Sequence, residues 1–189
     1  MATRPLDGLR RSATWRTILA LLVVVIIVNA GIFPVVAQRM AEYAGVSVRP
    51  MDLRLSYSAE QAYTILLSLG DSGRRLYAIV EATVDVIYPV VYTLFLFLLI
   101  ERLLTDAPRP RWLELATLVP FVAMVFDWLE NAAILAMIGR FPRPPGSIAT
   151  IASAFTTIKW LAGLLTLALL LYAAIRRLFR GRATAATSP

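Results

Sequence analysis

Apolar residues in this chain gather into four long runs instead of alternating with polar ones. Ile18–Ala37, Leu76–Ile100, Leu113–Ile138 and Ile148–Ile175 each reach the length that carries a helix across a bilayer, about 20 residues. Strand-length segments of period two, the mark of an outer-membrane barrel, are absent. The pattern predicts an all-α integral membrane protein, a single four-helix bundle with spans near 17–38, 75–103, 112–139 and 148–176. A basic leader (1–16), an outer loop (39–74) and a disordered polar tail (179–189) complete the expected organisation. The leader and Ile18–Val28 have the form of a signal peptide, with Val28-Asn29-Ala30 as a cleavage site. The apolar run resumes through Ile32–Ala37, however, and so predicts an uncleaved first helix, with Pro34 bending or ending it.

Within the outer loop, Ser58-Ala59-Glu60-Gln61 has the form of a capping box. Ala62, Ile65, Leu66 and Leu69 follow at helical spacing, and Gly70 supplies a stop. A short amphipathic helix over 59–69 is expected, lying on the membrane surface or over the mouth of the bundle, with Asp71-Ser72-Gly73 turning the chain into the second span. Pro108 and Pro110 break the loop between spans two and three. Phe141–Gly146 makes an equally tight turn between spans three and four.

Polar residues inside these runs are few and patterned. In the second run, Tyr77, Glu81, Asp85, Tyr88 and Tyr92 fall at steps of four, four, three and four, which puts all five on one helix face, with Pro89 beside them. In the third, Asp127 and Asn131 share a face, with Glu130 adjacent. The fourth offers Lys159, and the first Asn29. At a rise of 1.5 Å per residue, these groups come to one layer, from the midplane at Asp127 to about 10 Å on its outer side at Glu81. An ionised side chain at membrane depth costs about 2.5–3.5 kcal/mol or more, so partners are required. Glu81, Asp85, Asp127 and Glu130 oppose Lys159 alone, and the expected core is a Lys159 pair with Asp127 or Asp85. Protons, a cation or a ligand amine must balance the remaining acids. Trp128 and Trp160 lie beside the acids as candidate pocket walls. Ala149, Ser153 and Thr157 form a row of small residues suited to close helix packing.

Composition narrows the chemistry. The 189 residues are 59% hydrophobic, with mean hydropathy +0.70. There is no cysteine and no histidine, which rules out disulfides and thiolate metal sites as well as imidazole-ligated haem, zinc and Ser-His-Asp catalysis. No cofactor is identifiable. The net charge of +7 does not signal nucleic acid, because the basic residues sit at span ends, where they set topology. Eleven lie in the N-terminus, the 101–111 loop and the C-terminus, against seven on the other side, which places both termini in the cytoplasm. The expected location is the bacterial cytoplasmic (inner) membrane.

The functional expectation is an acidic pocket, built from Asn29, Glu81, Asp85, Tyr88, Tyr92, Asp127, Glu130, Asn131 and Lys159, in the outer half of the bilayer. It would bind a cationic or amphipathic small molecule or a lipid. An intramembrane acid–base enzyme and a proton- or ion-coupled transport subunit, the latter as a homo-oligomer, are the alternatives. The plain structural reading is an accessory bundle whose polar contacts only join helices.

Overall fold

The computed structural model describes residues 6–105 and 110–186, and the chain is helical almost throughout. Arg4, Pro108, Arg109 and 187–189 lie outside the described residues. A short helix α1 (Asp7–Arg11) precedes the first long helix, built from α2 (Trp15–Ile27), a π-helical turn (Val28–Ile32) and α3 (Phe33–Ala44). Thr14 caps α2 by accepting the Thr17 N–H, and Gly45, at φ +66°, ends α3 in the left-handed conformation. The π turn ends two residues before Pro34, which has no N–H to donate back into the helix.

After a loop comes α4 (Ala59–Ser68), whose capping box is present in both directions. Its apolar face, Ala62, Ile65 and Leu66, is buried in one cluster with Ile134 and Met137 of the third long helix. Gly70, at φ +61°, then starts α5 (Gly70–Ala82) directly, so the turn falls at Leu69–Gly70 and residues 71–73 are already helical. Thr83, at φ −125° and ψ −75°, separates α5 from α6 (Val84–Leu103). The third long helix comprises α7 (Arg111–Ala116) and α8 (Val119–Arg140). The fourth, α9, runs from Gly146 to Ala186. Residues 179–186, expected as a polar tail, are therefore helical; the helix continues through Gly181 into Ala183, Ala185 and Ala186, which are strong helix formers.

Among the described residues, four helices are long and apolar enough to cross a membrane: Trp15–Ala44, Gly70–Leu103, Arg111–Arg140 and Gly146–Phe179. Only a minority of each apolar window is buried, and large residues such as Leu19, Ile27, Ile87, Leu164 and Leu171 are exposed. Exposed apolar surface on that scale needs a nonaqueous surround, as in a multi-pass membrane protein. The helices pack in chain order. α2 lies on α6, α3 on α5, α8 on α5 and α6, and α9 mainly on α8. The first and fourth long helices do not pack extensively on each other. The space between them is occupied in part by the loop 45–58.

Candidate functional site

That loop descends into the bundle and is held there by side chains of α9 and α5. The Tyr57 N–H donates to Ser153 Oγ (2.9 Å), Thr157 Oγ1 donates to the Leu55 carbonyl (3.0 Å), and Lys159 Nζ donates to the Asp52 carbonyl (3.3 Å). The Met51 N–H donates to the Tyr77 hydroxyl at 3.1 Å, and Met51 is fully buried. Measured along α9 from Gly146, the loop reaches about 20 Å down the helix. Irregular backbone at such depth needs protein partners for its polar groups, and these contacts supply them. Ser153 and Thr157 thus seat the loop, where the row of small residues had suggested helix packing.

Lys159 is the hub. Its Nζ lies 2.5 Å from Glu130 Oε2 and 3.2 Å from Asp127 Oδ1, with the lysine and Asp127 side chains each 13% exposed and Glu130 fully buried. The pairing is thus with Asp127 and Glu130, not with Asp85. Glu130 Oε1 lies 2.5 Å from Thr156 Oγ1, and the Tyr92 hydroxyl donates to Asp127 Oδ2 at 2.9 Å. The Tyr77 hydroxyl donates to Asp52 Oδ1 at 3.1 Å, so the loop brings in a fifth carboxyl. Burial pushes the Asp52 carboxyl above its ordinary value; the Lys159 ammonium and the Tyr77 hydrogen bond pull the other way and only partly offset it. Burial, with the Glu130 charge next in weight, likewise raises the Tyr57 phenol.

Asn131 has a backbone role. Pro89 lacks an N–H, so the Asp85 carbonyl, four residues earlier, loses its helical donor. The Asn131 amide donates to that carbonyl at 2.6 Å. Thr93 Oγ1 makes a similar side-chain-to-backbone bond to Pro120 O (3.2 Å), tying α6 to α8. On the first helix, Asn29 Nδ2 donates to the Val25 carbonyl (2.9 Å) and to the Tyr88 hydroxyl. Phe33 packs edge-on against Tyr88 with ring centroids 5.3 Å apart, and Tyr88 packs in the same way on Tyr92.

These groups surround a cavity of two adjoining lobes that share Asn29, Phe33, Asp52, Leu53 and Asp85 as walls. One lobe, about 320 Å³, extends between the first and second long helices and is mainly apolar, with Val36, Ala37, Met40 and Val80. The other, about 270 Å³, is walled by Tyr88, Tyr92, Asp127, Lys159, Trp160 and Gly163. It lies where the first and fourth helices part, and Asn29, Leu53 and Trp160 keep exposed surface there. Asp85 is half-buried at the junction, and no hydrogen bond or ion pair engages its carboxylate among the described residues.

Of the residues singled out in the sequence, Asn29, Asp85, Tyr88, Tyr92, Asp127, Lys159 and Trp160 line this cavity. Glu130 and Asn131 stand behind it, in contact with lining residues. Glu81 is completely buried, and neither of its carboxyl oxygens has a hydrogen-bond partner among the described residues. Trp128 does not wall the cavity; it is 38% exposed, and its indole N–H donates to the Val86 carbonyl at 3.0 Å. One step along α8 from Asp127 turns the side chain by about 100°, out of the inward face. Arg74 is also occupied away from the site, pairing with Asp71, donating to the Leu66 carbonyl and stacking on Phe141. Asp52 and Tyr77 complete the set; Tyr77 shares the second-helix stripe, whereas nothing periodic marks Asp52.

Comparison of the chain with family models, curated proteins and solved structures yields no match.

Proposed function

We propose that the protein binds an organic ammonium ion in this cavity, held between the Asp52 and Asp85 carboxylates. The observation that carries this reading is the charge imbalance at the site. Lys159 forms its ion pairs with Asp127 and Glu130, which leaves the Asp52 and Asp85 carboxylates at the lobe junction without an ion pair among the described residues. Helix joining accounts for the contacts of Lys159, Asn131 and Thr93, but gives no reason for Asp85 or for the unpartnered Glu81. Among the described residues no group of three or more acids is placed to hold a metal ion, which favours an organic cation over a bare one. Tyr88, Tyr92, Trp160 and Phe33 add aromatic faces suited to an ammonium head.

In this reading the positive-inside count sets both termini in the cytoplasm, and the cavity occupies the outer half of the bilayer. The test is binding of ethylamine to the purified protein, followed as a thermal shift and by calorimetry. Saturable stabilisation that disappears in Asp85→Asn and in Asp52→Asn supports the assignment. Equal stabilisation of wild type and both variants, or none in any of them, removes it.

A further inference from the structure

The larger lobe carries fewer polar side chains than the smaller one, and that specifies the ligand further. We infer that the ligand is an amphipathic amine whose aliphatic limb fills the lobe lined by Phe33, Val36, Ala37, Met40 and Val80; the inference rests on the ammonium site at Asp52 and Asp85. Apart from the two aspartates, Asn29 and the Tyr77 hydroxyl, the walls of this lobe are apolar, so it offers little to hold a polar substituent. It abuts the ammonium position directly, because the same two aspartates line both lobes. A cavity of 150 Å³ lined by apolar residues holds a benzene ring. At about 320 Å³ the lobe has roughly twice that room, enough for an unbranched limb of about eight to twelve carbons.

Access fits the same ligand class. The second lobe lies in the gap between the first and fourth helices, whose neighbouring surfaces are apolar and exposed. An amine carried in the bilayer reaches the aspartates sideways through this gap, past Gly163. A Cβ built on Gly163 meets nothing within 4 Å, so the passage there is open.

A homologous series of primary n-alkylamines, from ethylamine to hexadecylamine, titrated against protein in phosphatidylcholine nanodiscs with empty nanodiscs as reference, tests the inference. Affinity referred to the free aqueous amine, measured with the empty nanodiscs as reference, should rise about fourfold per methylene and then level off once the lobe is full. Ala37→Phe, or Val36→Phe should the first variant fail to fold, should move that levelling-off to shorter chains. Partition into lipid shows neither a cut-off nor a shift of it, so the two processes separate cleanly. If octylamine binds no more tightly than ethylamine, or if the cut-off ignores both substitutions, the limb is not in this lobe and the inference falls while the ammonium site stands. Absence of any aspartate-dependent amine binding overturns the ammonium site itself.

Discussion

Lys159→Met removes the single cation of the cluster while keeping most of the length of the side chain. Three contacts go with it: Glu130 Oε2 at 2.5 Å, Asp127 Oδ1 at 3.2 Å and the Asp52 carbonyl at 3.3 Å. Glu130 is wholly buried and Asp127 nearly so, and both lose the charge that compensates them. Removing one partner of a buried ion pair costs about 3–5 kcal/mol, because the other charge stays behind. At roughly 2–4 °C per kcal/mol for a chain of this size, the melting temperature should fall by about 6–20 °C. Thermal unfolding in mild detergent, followed by helical circular dichroism, measures it. The exposed Arg39–Glu42 pair is the internal control, since Arg39→Met should cost no more than about 1 kcal/mol. Adding Glu130→Gln to Lys159→Met should recover part of the loss, with a coupling of about 0.5–3 kcal/mol. A Lys159→Met variant that melts like Arg39→Met, or a double variant with no coupling, would refute the idea that this lysine is the electrostatic hub.

Two further outcomes follow from named contacts. Asn131→Leu leaves the Asp85 carbonyl without the donor that replaces the one Pro89 lacks, and should destabilise by about 1–3 kcal/mol; in a Pro89→Ala background, where a backbone N–H returns, the same substitution should cost measurably less by the same unfolding assay. Burial raises the Asp52 carboxyl, so the folded protein holds that proton more tightly than the unfolded chain does. Its contribution to stability is therefore complete below the unfolded value near 3.8 and is lost as pH rises through the higher folded value. The fall in melting temperature from about pH 4 to about pH 8 should be shallower in Asp52→Asn, and an unchanged slope would show that Asp52 is not the group responsible.

The four-helix organisation and most of the cavity wall were legible because helical periodicity fixes azimuth. Steps of three and four bring Asp85, Tyr88 and Tyr92 to one face of α6, and a hydrocarbon surround penalises any such face turned outward. The same rule explains the misplaced Trp128, since nearness in sequence to Asp127 says nothing about direction around α8. Periodicity is silent on partners. That Lys159 takes Asp127 and Glu130, leaving Asp85 open, depends on how far α9 slides along α8, and no repeat within either helix records that offset. It is more silent still on loops. Asp52 carries no sequence signal because its position is set by Ser153, Thr157 and Tyr77, three side chains whose hydroxyls find backbone groups of a segment far away in the chain. A hydroxyl on an inward helix face packs equally well against another helix or against a descending loop. What separates the cases is the need of the loop: fourteen residues without regular structure between α3 and α4 carry backbone N–H and C=O groups that must be paired somewhere. Hydroxyls spaced by one helical turn on a facing span are one of the few places a buried loop can pair them, and that requirement brings Asp52 to the cavity.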